Sequence, residues 1–291
     1  MAQLRLAFVA YNSSYNLLTV SSSDGLHWSN NTPVGQINLW GWSALTLASY
    51  QNRLYMAFAA NNSTYELLVI SSADGVHWTN NTPVSQAAGF GAALAVFQNR
   101  LYMAFRAANA TAELLMISSA DGVNWTGNTP VGQTSPGAPA LAVFQNRLYM
   151  AFTANNETGA LLVISSEDGV HWTGNMPVGQ TTPPGGIYPW EPALAVFQNR
   201  LYMAFVANNS TNEVLMISSG DGVHWTGSTQ VGQASKAIPA LAVFQNRLYM
   251  AFMADNSTNE VLVTSSADGI HWANNTPIGQ TSWSAPALAA F

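Results

Sequence analysis

The chain of 291 residues carries little charge: Lys, Arg, Asp and Glu make up 8% of it, against roughly a quarter in a typical soluble domain. Its 48% of hydrophobic residues excludes a disordered chain, and a net charge of -6 leaves no basic surface for nucleic acid. The absence of cysteine excludes disulfides and thiolate metal sites, and no apolar run approaches the roughly 18 residues of a membrane span. We therefore expect a folded protein without metal or cofactor that neither binds nucleic acid nor inserts into a membrane.

The first predicted element is a strand at the start of the chain. Residues 1–14 contain one arginine and a short apolar stretch, Leu4 to Ala10, without a small-residue cleavage site of the signal-peptide kind. We expect this stretch to belong to the mature protein. The compartment stays open, because the sequence fits both a cytoplasmic protein and one released without a signal.

An internal repeat dominates the rest of the sequence. The segment Leu94–Phe105 recurs unchanged as Leu141–Phe152, Leu194–Phe205 and Leu241–Phe252, and a variant of it occupies Leu47–Phe58. Such self-similarity at a fixed period is typical of propellers and solenoids.

A sixth copy is divided between the two ends of the chain, where Pro286–Phe291 followed by Met1–Phe8 has the same pattern. Each copy ends in a phenylalanine, and we number the repeats from one to six in the order of these residues: Phe8, Phe58, Phe105, Phe152, Phe205 and Phe252. Counted through the joined termini, their spacing is 47 residues in four cases and 50 and 53 in the others, which uses up all 291 residues. Since an open solenoid usually has polar capping repeats, we predict a single domain over residues 1–291, closed by pairing of the last strand into the first blade.

Each repeat is predicted to form four antiparallel strands. In the fourth repeat they are Ala140–Phe144, Leu148–Ala154, Leu161–Ser165 and His171–Val178, separated by turn residues. Pro177 fits an outer edge strand that need not donate ladder hydrogen bonds. Because helix signals are nearly absent, and four-stranded blades around an axis leave only short edges, the sequence predicts an all-β, six-bladed β-propeller.

Every repeat also contains the motif Ser-x-Asp-Gly-x-x-Trp. Its aspartates are Asp24, Asp74, Asp121, Asp168, Asp221 and Asp268. In a hairpin turn the aspartate accepts hydrogen bonds from nearby amides, the glycine adopts a positive φ, and the tryptophan returns to pack between blades. We interpret the six aspartates as turn-formers rather than catalytic acids or metal ligands.

The motif resembles the Asp-box, the bacterial neuraminidase repeat of sialidases and related propellers, in all six repeats. It differs from the usual pattern because Asp24 and Gly25, like their counterparts, are adjacent, whereas the family usually has a residue between them. The resemblance implies a propeller whose boxes are structural turns away from the ligand. It also implies what sialidase activity would need, namely an arginine triad, a tyrosine–glutamate pair and an acid/base aspartate.

The arginines and histidines of the repeat are assigned to the scaffold and the solvated surface. Six arginines are expected in the Gln-Asn-Arg turns, on the same side as the boxes: Arg5, Arg53, Arg100, Arg147, Arg200 and Arg247. Five histidines precede a box tryptophan, and strand alternation points them away from it: His27, His77, His171, His224 and His271. Their spacing around a ring predicts no shared metal site.

The sequence lacks the side chains that a sialidase needs. Arg106 is the only arginine outside the repeated set and Lys236 is the only lysine, so three convergent arginines cannot be assembled. The glutamates Glu66, Glu113, Glu213 and Glu260 recur at one repeat position and form no unique pair, as glycoside hydrolysis would require. We therefore expect that the protein is not an enzyme.

The symmetry breaks in the links from an outer strand to the next inner strand. In four repeats this link spans 11 residues, but 14 separate Gln36 from Tyr50 and 17 separate Gln180 from Phe197. The four tryptophans outside the boxes, together with Phe90 and Tyr188, lie in links of this kind: Trp40, Trp42, Trp190 and Trp283. We predict that they form sugar-binding platforms on one face, beside the polar Asn/Ser/Thr turns. The alternative is that rings such as Trp283 merely fill the seams between blades.

These features favour a multivalent carbohydrate-binding protein without catalysis, similar to propeller lectins that bind sugars at blade junctions. The acidic charge and scarcity of Lys and Arg indicate glycans or glycoconjugates with neutral sugars as partners. Two alternatives stay open: a protein-interaction scaffold, and an engineered or recently amplified symmetric ring without a selected ligand. A degenerate glycosidase is the least favoured. The sugar and the oligomeric state are not specified by the sequence.

Overall fold

The computed structural model describes residues 2–37, 44–60, 62–183 and 190–291, and this part of the chain is all-β, with no α-helix. No helix suited to crossing a membrane is found among these residues. Apart from one of 20 residues, the strands contain 4–10 residues, and neighbouring strands of each sheet pair antiparallel.

The strands of the first three repeats are β1 (Leu4–Val9), β2 (Asn16–Ser22), β3 (Ser29–Ile37), β4 (Thr46–Tyr50), β5 (Arg53–Ala59), β6 (Glu66–Ser72), β7 (Trp78–Phe97), β8 (Arg100–Ala107), β9 (Glu113–Ser119) and β10 (Trp125–Thr134). Those of the fourth and fifth repeats are β11 (Ala140–Phe144), β12 (Arg147–Thr153), β13 (Ala160–Ser166), β14 (Trp172–Thr181), β15 (Ala193–Phe197), β16 (Arg200–Val206), β17 (Glu213–Ser219) and β18 (Thr229–Ala234). The chain continues with β19 (Ala240–Phe244), β20 (Arg247–Met253), β21 (Glu260–Ser266), β22 (Trp272–Thr281) and β23 (Ala287–Ala290).

Four sheets contain four strands each, in the orders β23-β1-β2-β3, β11-β12-β13-β14, β15-β16-β17-β18 and β19-β20-β21-β22. The prediction of four antiparallel strands per repeat is therefore confirmed for these sheets. In the fourth repeat, the first strand has the predicted bounds Ala140–Phe144, and the other three begin or end within a few residues of the prediction. The strand Arg147–Thr153 is buried from Leu148 onward, as expected for a strand that is covered on both sides.

The second and third repeats depart from this pattern, because they share one seven-stranded sheet. Strand β7 runs without interruption from the outer edge of the second repeat to the innermost position of the third. Its pairing with β8 is irregular only between Ala88 and Ala92. The link inside β7 contains no proline, whereas Pro139, Pro192 and Pro239 interrupt equivalent links. Proline cannot donate a ladder hydrogen bond, which favours departure of those three links from the sheet.

The C-terminal strand β23 pairs with β1 in antiparallel register, with Leu4 opposite Ala290. Gln3 and Phe291 exchange backbone hydrogen bonds of 2.6 and 2.8 Å where the other repeats have a Gln-Asn turn. The innermost strands lie side by side in the spatial order β4, β7, β11, β15 and β19. Strand β23 contacts both β19 and β4. Contacts between consecutive repeats thus continue from the sixth back to the first.

Apolar clusters fill the space between consecutive sheets. The six phenylalanines that close the repeats are fully buried, and Phe152 illustrates their packing. It belongs to a cluster that includes Met116 of the third repeat and Leu148 of the fourth, with Trp172 of the box packed against it. The predicted position of the box tryptophans between neighbouring sheets is therefore confirmed.

Candidate functional site

The box turns are closed by their own aspartates. In the fourth repeat, Asp168 Oδ1 accepts hydrogen bonds of 2.8 Å from the amides of Val170 and His171, and Ser166 Oγ accepts one of 2.8 Å from Gly169. Gly169 has a φ of +76°, and the five equivalent glycines also have positive φ. Because every box repeats this arrangement, the predicted turn-forming role of the six aspartates is confirmed.

Each box is also bonded to the preceding repeat. The Tyr102 hydroxyl donates to the Asp168 carbonyl at 3.3 Å, and Gln98 donates to the Glu167 carbonyl at 2.9 Å. The tyrosine ring lies so close that a Cβ on Gly169 would be 2.3 Å from it. The same bond from Tyr249 reaches the Asp24 carbonyl at 3.2 Å and joins the sixth repeat to the first.

The assignment of Arg5 to a Gln-Asn-Arg turn was wrong. Arg5 lies within β1 at the position of the tyrosine in the other repeats, and its guanidinium donates to the carbonyls of Asp74 and Gly75 in the next box. Gln3 occupies the position of the repeated arginine, so the sequence pattern was misread by two residues at the split repeat. The other five arginines do follow the turns, and each bonds a strand serine, as Arg100 does with Ser118 Oγ at 3.1 Å.

The box histidines face the solvent, as predicted, with 84–89% of their side chains exposed. Their Nδ1 atoms lie 2.7 Å from the second carboxylate oxygen of the box aspartate, a contact that the sequence interpretation missed. This hydrogen bond is the main cause that holds the pKa of Asp168 well below its usual value. In the third repeat, Asn124 replaces the histidine and its amide makes the same bond to Asp121. No group of three or more candidate metal ligands occurs in the part of the chain that the structure describes.

We call the opposite end of the sheets the connection surface; it comprises the turns between second and third strands and the links between repeats. Trp283 is the best-defined aromatic residue there. Its ring centroid lies 4.1 Å from that of Tyr11 and 5.6 Å from that of Tyr15, and its Nε1 donates to the Asn12 carbonyl at 3.1 Å. Three rings from the sixth and first repeats thus form one half-exposed cluster.

Tyr11 and Tyr15 were not among the predicted site residues. Tyr15 has a φ of +50°, and Tyr65 at the equivalent place in the second repeat has +55°, a left-handed conformation that is costly for a bulky residue. The sequence did carry a signal, since Ala112, Gly159, Asn212 and Asn259 occupy this turn position in the other repeats. In the first repeat this strained tyrosine lies beside Trp283.

Phe90 lies in the link within β7, half-buried beneath Arg106. The guanidinium carbon is 5.1 Å from the centre of the ring, and Nε donates to the Ser135 carbonyl at 3.2 Å. Burial lowers the pKa of Arg106. One face of this predicted aromatic residue is therefore covered by Arg106.

Trp190 is half-buried at the end of the longest link, where its carbonyl accepts a hydrogen bond of 2.8 Å from Thr153. The remaining predicted platform residues, Trp40, Trp42 and Tyr188, lie outside the described residues. The structure therefore brings Trp283 together with two tyrosines and places Phe90 and Trp190 in other links.

Polar grooves run between neighbouring sheets at the same end. One groove, with a volume of about 540 Å³, is bounded by Gln36 of the first repeat and by Asn62, Glu66 and Asn81 of the second. Amide bridges cross the equivalent places elsewhere: Asn31 donates to Gln280 at 3.1 Å, and Asn275 to Gln233 at 3.0 Å. Such amides and carboxylates provide the donors and acceptors that hydroxyl groups require.

Sequence comparison identifies the family. A profile described as a BNR repeat-like domain matches residues 6–190, which is more than half of the chain. The chain belongs to the family of BNR repeat-like domains. This agrees with the repeated box and its hydrogen bonds. A comparison with curated protein sequences finds no match.

Solved structures resemble this BNR repeat-like chain in fold. A lectin of Aleuria aurantia in complex with Fucα1-6GlcNAc is similar with a TM-score of 0.69 and 12% identity, covering 96% of this chain and 93% of that one. A lectin from Burkholderia pseudomallei has a TM-score of 0.67 and 18% identity, covering 98% and 84%. An α-L-arabinofuranosidase from Clostridium thermocellum has a TM-score of 0.56 and 15% identity, covering 82% and 96%.

At these identities the similarity establishes the fold alone. Together with the BNR repeat-like match, it supports the prediction of a sialidase-like β-propeller with antiparallel four-stranded sheets. Since the similar structures include both lectins and a glycosidase, the fold does not separate sugar binding from sugar hydrolysis.

Proposed function

We propose that this BNR repeat-like chain is a six-bladed, closed β-propeller over residues 1–291 that binds carbohydrates at several places without catalysis. The pairing of β23 with β1 and the bond from Tyr249 to Asp24 support the closed ring. The proposed platforms are the predicted residues Trp40, Trp42, Phe90, Tyr188, Trp190 and Trp283, to which Tyr11 and Tyr15 are added.

The aromatic cluster of Trp283, Tyr11 and Tyr15 is the observation that carries this proposal. Tyr11 is 46% exposed, so apolar ring area remains open to solvent beside the polar turn at Asn12. Rigid aromatic residues supply contact area at low entropic cost, and their faces match the C–H face of a pyranose. The polar groove at Glu66 and Asn62 is a separate place, between the first and second repeats, that offers donors and acceptors for sugar hydroxyls.

Multivalency follows from repetition of the scaffold. Several weak sites on one rigid surface raise the apparent affinity for a glycan-coated surface by about 10²–10⁴ over a single site. Neutral sugars are the proposed ligands because the net charge of -6 disfavours anionic glycans.

The absence of catalysis is proposed on the distribution of carboxylates. The box aspartates are engaged in their own turns, and Glu66, Glu113, Glu213 and Glu260 each begin the third strand of a different repeat. No two of these four glutamates belong to one repeat, whereas a glycosidase needs a facing pair. Hydrolysis of chromogenic arabinofuranosides or other glycosides by the purified protein would contradict this part of the proposal.

A glycan array tests the binding function. The wild-type protein, a variant with Trp40, Trp42, Trp190 and Trp283 changed to Ala, and a Trp283→Ala/Tyr11→Ala variant are compared. His171→Ala serves as the matched control, because it removes an exposed ring from the box end. We expect the wild type and the control to bind one coherent set of glycans and both aromatic variants to lose it.

Two results would overturn the proposal in different ways. A blank array with correctly folded wild-type protein would reject carbohydrate binding. Full binding by the four-tryptophan variant would reject the proposed platforms while leaving the lectin function standing. Agglutination of glycosylated cells, inhibited by the free sugar, is the corresponding test of multivalency.

A protein-interaction scaffold is the second candidate, and one observation favours it. At the box end, apolar side chains that follow the box glycines are 41–54% exposed: Leu26, Val123, Val170, Val223 and Ile270. A row of exposed apolar residues marks a docking surface when it is contiguous. This candidate predicts a specific protein partner that is lost when Val170 and Val223 are changed to Asp, and no response to free sugars.

A further inference from the structure

A cavity lies where the innermost strands begin, at the connection end of the sheets. Its volume is about 150 Å³, and residues from all six repeats line it. Most of the lining consists of alanine, leucine and proline, as at Ala140, Leu141 and Pro139. An apolar protein cavity of roughly 150 Å³ accommodates one benzene-sized molecule.

Glu191 breaks the apolar character of this lining. The equivalent residues of the other five repeats are Ala44, Gly91, Ala138, Ile238 and Ala285. Glu191 is only 5% exposed, and it is the only ionisable residue among the described residues that line the cavity. The carboxyl group of Glu191 therefore has no basic side chain to pair with among the described residues that line the cavity.

The hydrogen bonding of Glu191 is incomplete for a carboxylate. Its Oε1 accepts a hydrogen bond from the amide of Ala138 across the junction of two repeats. Two carboxylate oxygens offer about four acceptor positions. Burial raises the pKa of Glu191 well above its usual value, because an ionised carboxylate without a counter-charge is costly in this surrounding. A cationic hydrogen-bond donor in the cavity would remove that cost.

We propose that this cavity binds a small primary ammonium ion with a short apolar tail, such as butylammonium. The ammonium group donates hydrogen bonds to Glu191, and the tail packs against the surrounding Ala, Leu and Pro side chains. The proposal does not depend on carbohydrate binding, because the cavity and the aromatic cluster at Trp283 are separate features.

The pH dependence of binding has a defined sign. An alkylammonium stays protonated below its pKa of about 10, so Glu191 is the group that titrates. Below its raised pKa the carboxyl group is neutral and attracts the cation weakly, and above it the carboxylate pairs with the cation. Binding therefore strengthens as pH rises, and it releases the carboxyl proton to the buffer.

Calorimetric titration of the whole protein with butylammonium chloride tests the proposal. Glu191→Gln keeps the shape of the side chain and removes the charge, and Glu157→Gln makes the same change on an exposed turn. We expect the Kd to rise about 30-fold in Glu191→Gln, which corresponds to about 2 kcal/mol, and to stay unchanged in Glu157→Gln. Butan-1-ol, a neutral ligand of the same length, should bind the wild type and Glu191→Gln equally.

The proposal is overturned if the wild-type protein binds butylammonium no more tightly than it binds butan-1-ol. It is also overturned if Glu191→Gln and Glu157→Gln weaken butylammonium binding equally. A second measurement keeps the test valid if Glu191→Gln fails to fold. Wild-type titrations in two buffers of different ionisation enthalpy should reveal proton release on binding of the amine. Binding without proton release and without pH dependence would also reject the role of Glu191.

Discussion

The two ends of the sheets are organised in opposite ways. At the box end, six nearly identical turns satisfy their own polar groups and bond to the preceding repeat, as Asp168 and Tyr102 do. At the connection surface, the links differ in length and sequence, and aromatic residues such as Trp283 and Phe90 are partly exposed. The same strands join both ends, so the difference lies in the loops alone.

This contrast separates stability from specificity. At the box end, equivalent hydrogen bonds join each sheet to the box turn of the next repeat. A substitution that removes one of these bonds therefore weakens the contact between two neighbouring sheets. The links also carry bonds between repeats, such as that from the Asp255 amide to the Ala234 carbonyl at 3.1 Å, but their lengths and side chains differ, so they present different residues in different repeats. Substitutions at the two ends should therefore have different consequences, and four of them test this difference.

The largest effect is expected for Gly169→Ala at the box end. The new Cβ would lie 2.3 Å from the Tyr102 ring, and alanine would have to adopt a φ of +76°. Overpacking and left-handed backbone together should cost about 2–4 kcal/mol of unfolding free energy. Urea denaturation measures this loss.

Gly132→Ala is the matched control for that experiment. Gly132 has nearly the same φ, +75°, but nothing lies within 4 Å of a Cβ placed there. We expect it to cost only about 1 kcal/mol, the conformational part alone. Equal losses in the two variants would show that the tyrosine contact does not contribute to the junction.

Arg5→Tyr would make the first repeat like the other five. Arg5 is 6% exposed, its Nε has no hydrogen-bond partner among the described residues, and burial is the main cause of its lowered pKa. A tyrosine can donate to the Asp74 carbonyl without burying a charge. We expect a gain of about 1 kcal/mol in urea denaturation; a loss would mean that the two carbonyl bonds of Arg5 outweigh its desolvation.

A smaller gain is expected at the connection surface from Tyr65→Asn. Tyr65 has a φ of +55° and is 41% exposed, and asparagine adopts this conformation more readily. We expect about 0.5 kcal/mol of added stability by denaturation. Unchanged stability would show that ring contacts compensate for the backbone strain.

The effect of Asp121→Asn should be largest near neutral pH and should disappear in acid. Backbone and side-chain hydrogen bonds from Asn124, and a backbone bond from Val123, lower the pKa of Asp121 below its ordinary value of 3.8. A lowered pKa in the folded state means that the aspartate stabilises the fold above about pH 4 and that this stabilisation is lost as the pH falls. Asp121→Asn should therefore show a flatter acid-unfolding curve by circular dichroism. An unchanged curve would mean that this box does not contribute to acid stability.

Much of the fold could be predicted because the same sequence pattern occurs six times. Strand boundaries such as Ala140–Phe144, the box turns and the half-buried box tryptophans follow from local patterns that recur in each repeat. The misplacement of Arg5 arose where the repeat is interrupted by the termini. There the pattern Gln-Leu-Arg had to be aligned without the flanking Gln-Asn turn, and an arginine was matched to an arginine rather than to a tyrosine.

The candidate site was less predictable, because its contacts join residues far apart in the chain. Trp283 could be singled out from its link, but its partners Tyr11 and Tyr15 lie at the other end of the sequence. Glu191 could not be distinguished from a surface residue, since its burial depends on residues from all six repeats. Local patterns predict turns and strands, whereas such a cavity exists only after the sheets have assembled.

The continuous strand β7 has a consequence for cooperativity. Sheets that are joined only through side chains can separate by local opening, whereas an unbroken hydrogen-bonded ladder couples the second and third repeats. Amide protons of β5 and β8 should therefore exchange with solvent at one common rate under native conditions, as a single cooperative unit. Ala87 is the last residue of β7 that pairs with β6 of the second repeat. The substitution Ala87→Pro should divide this unit into two that open independently.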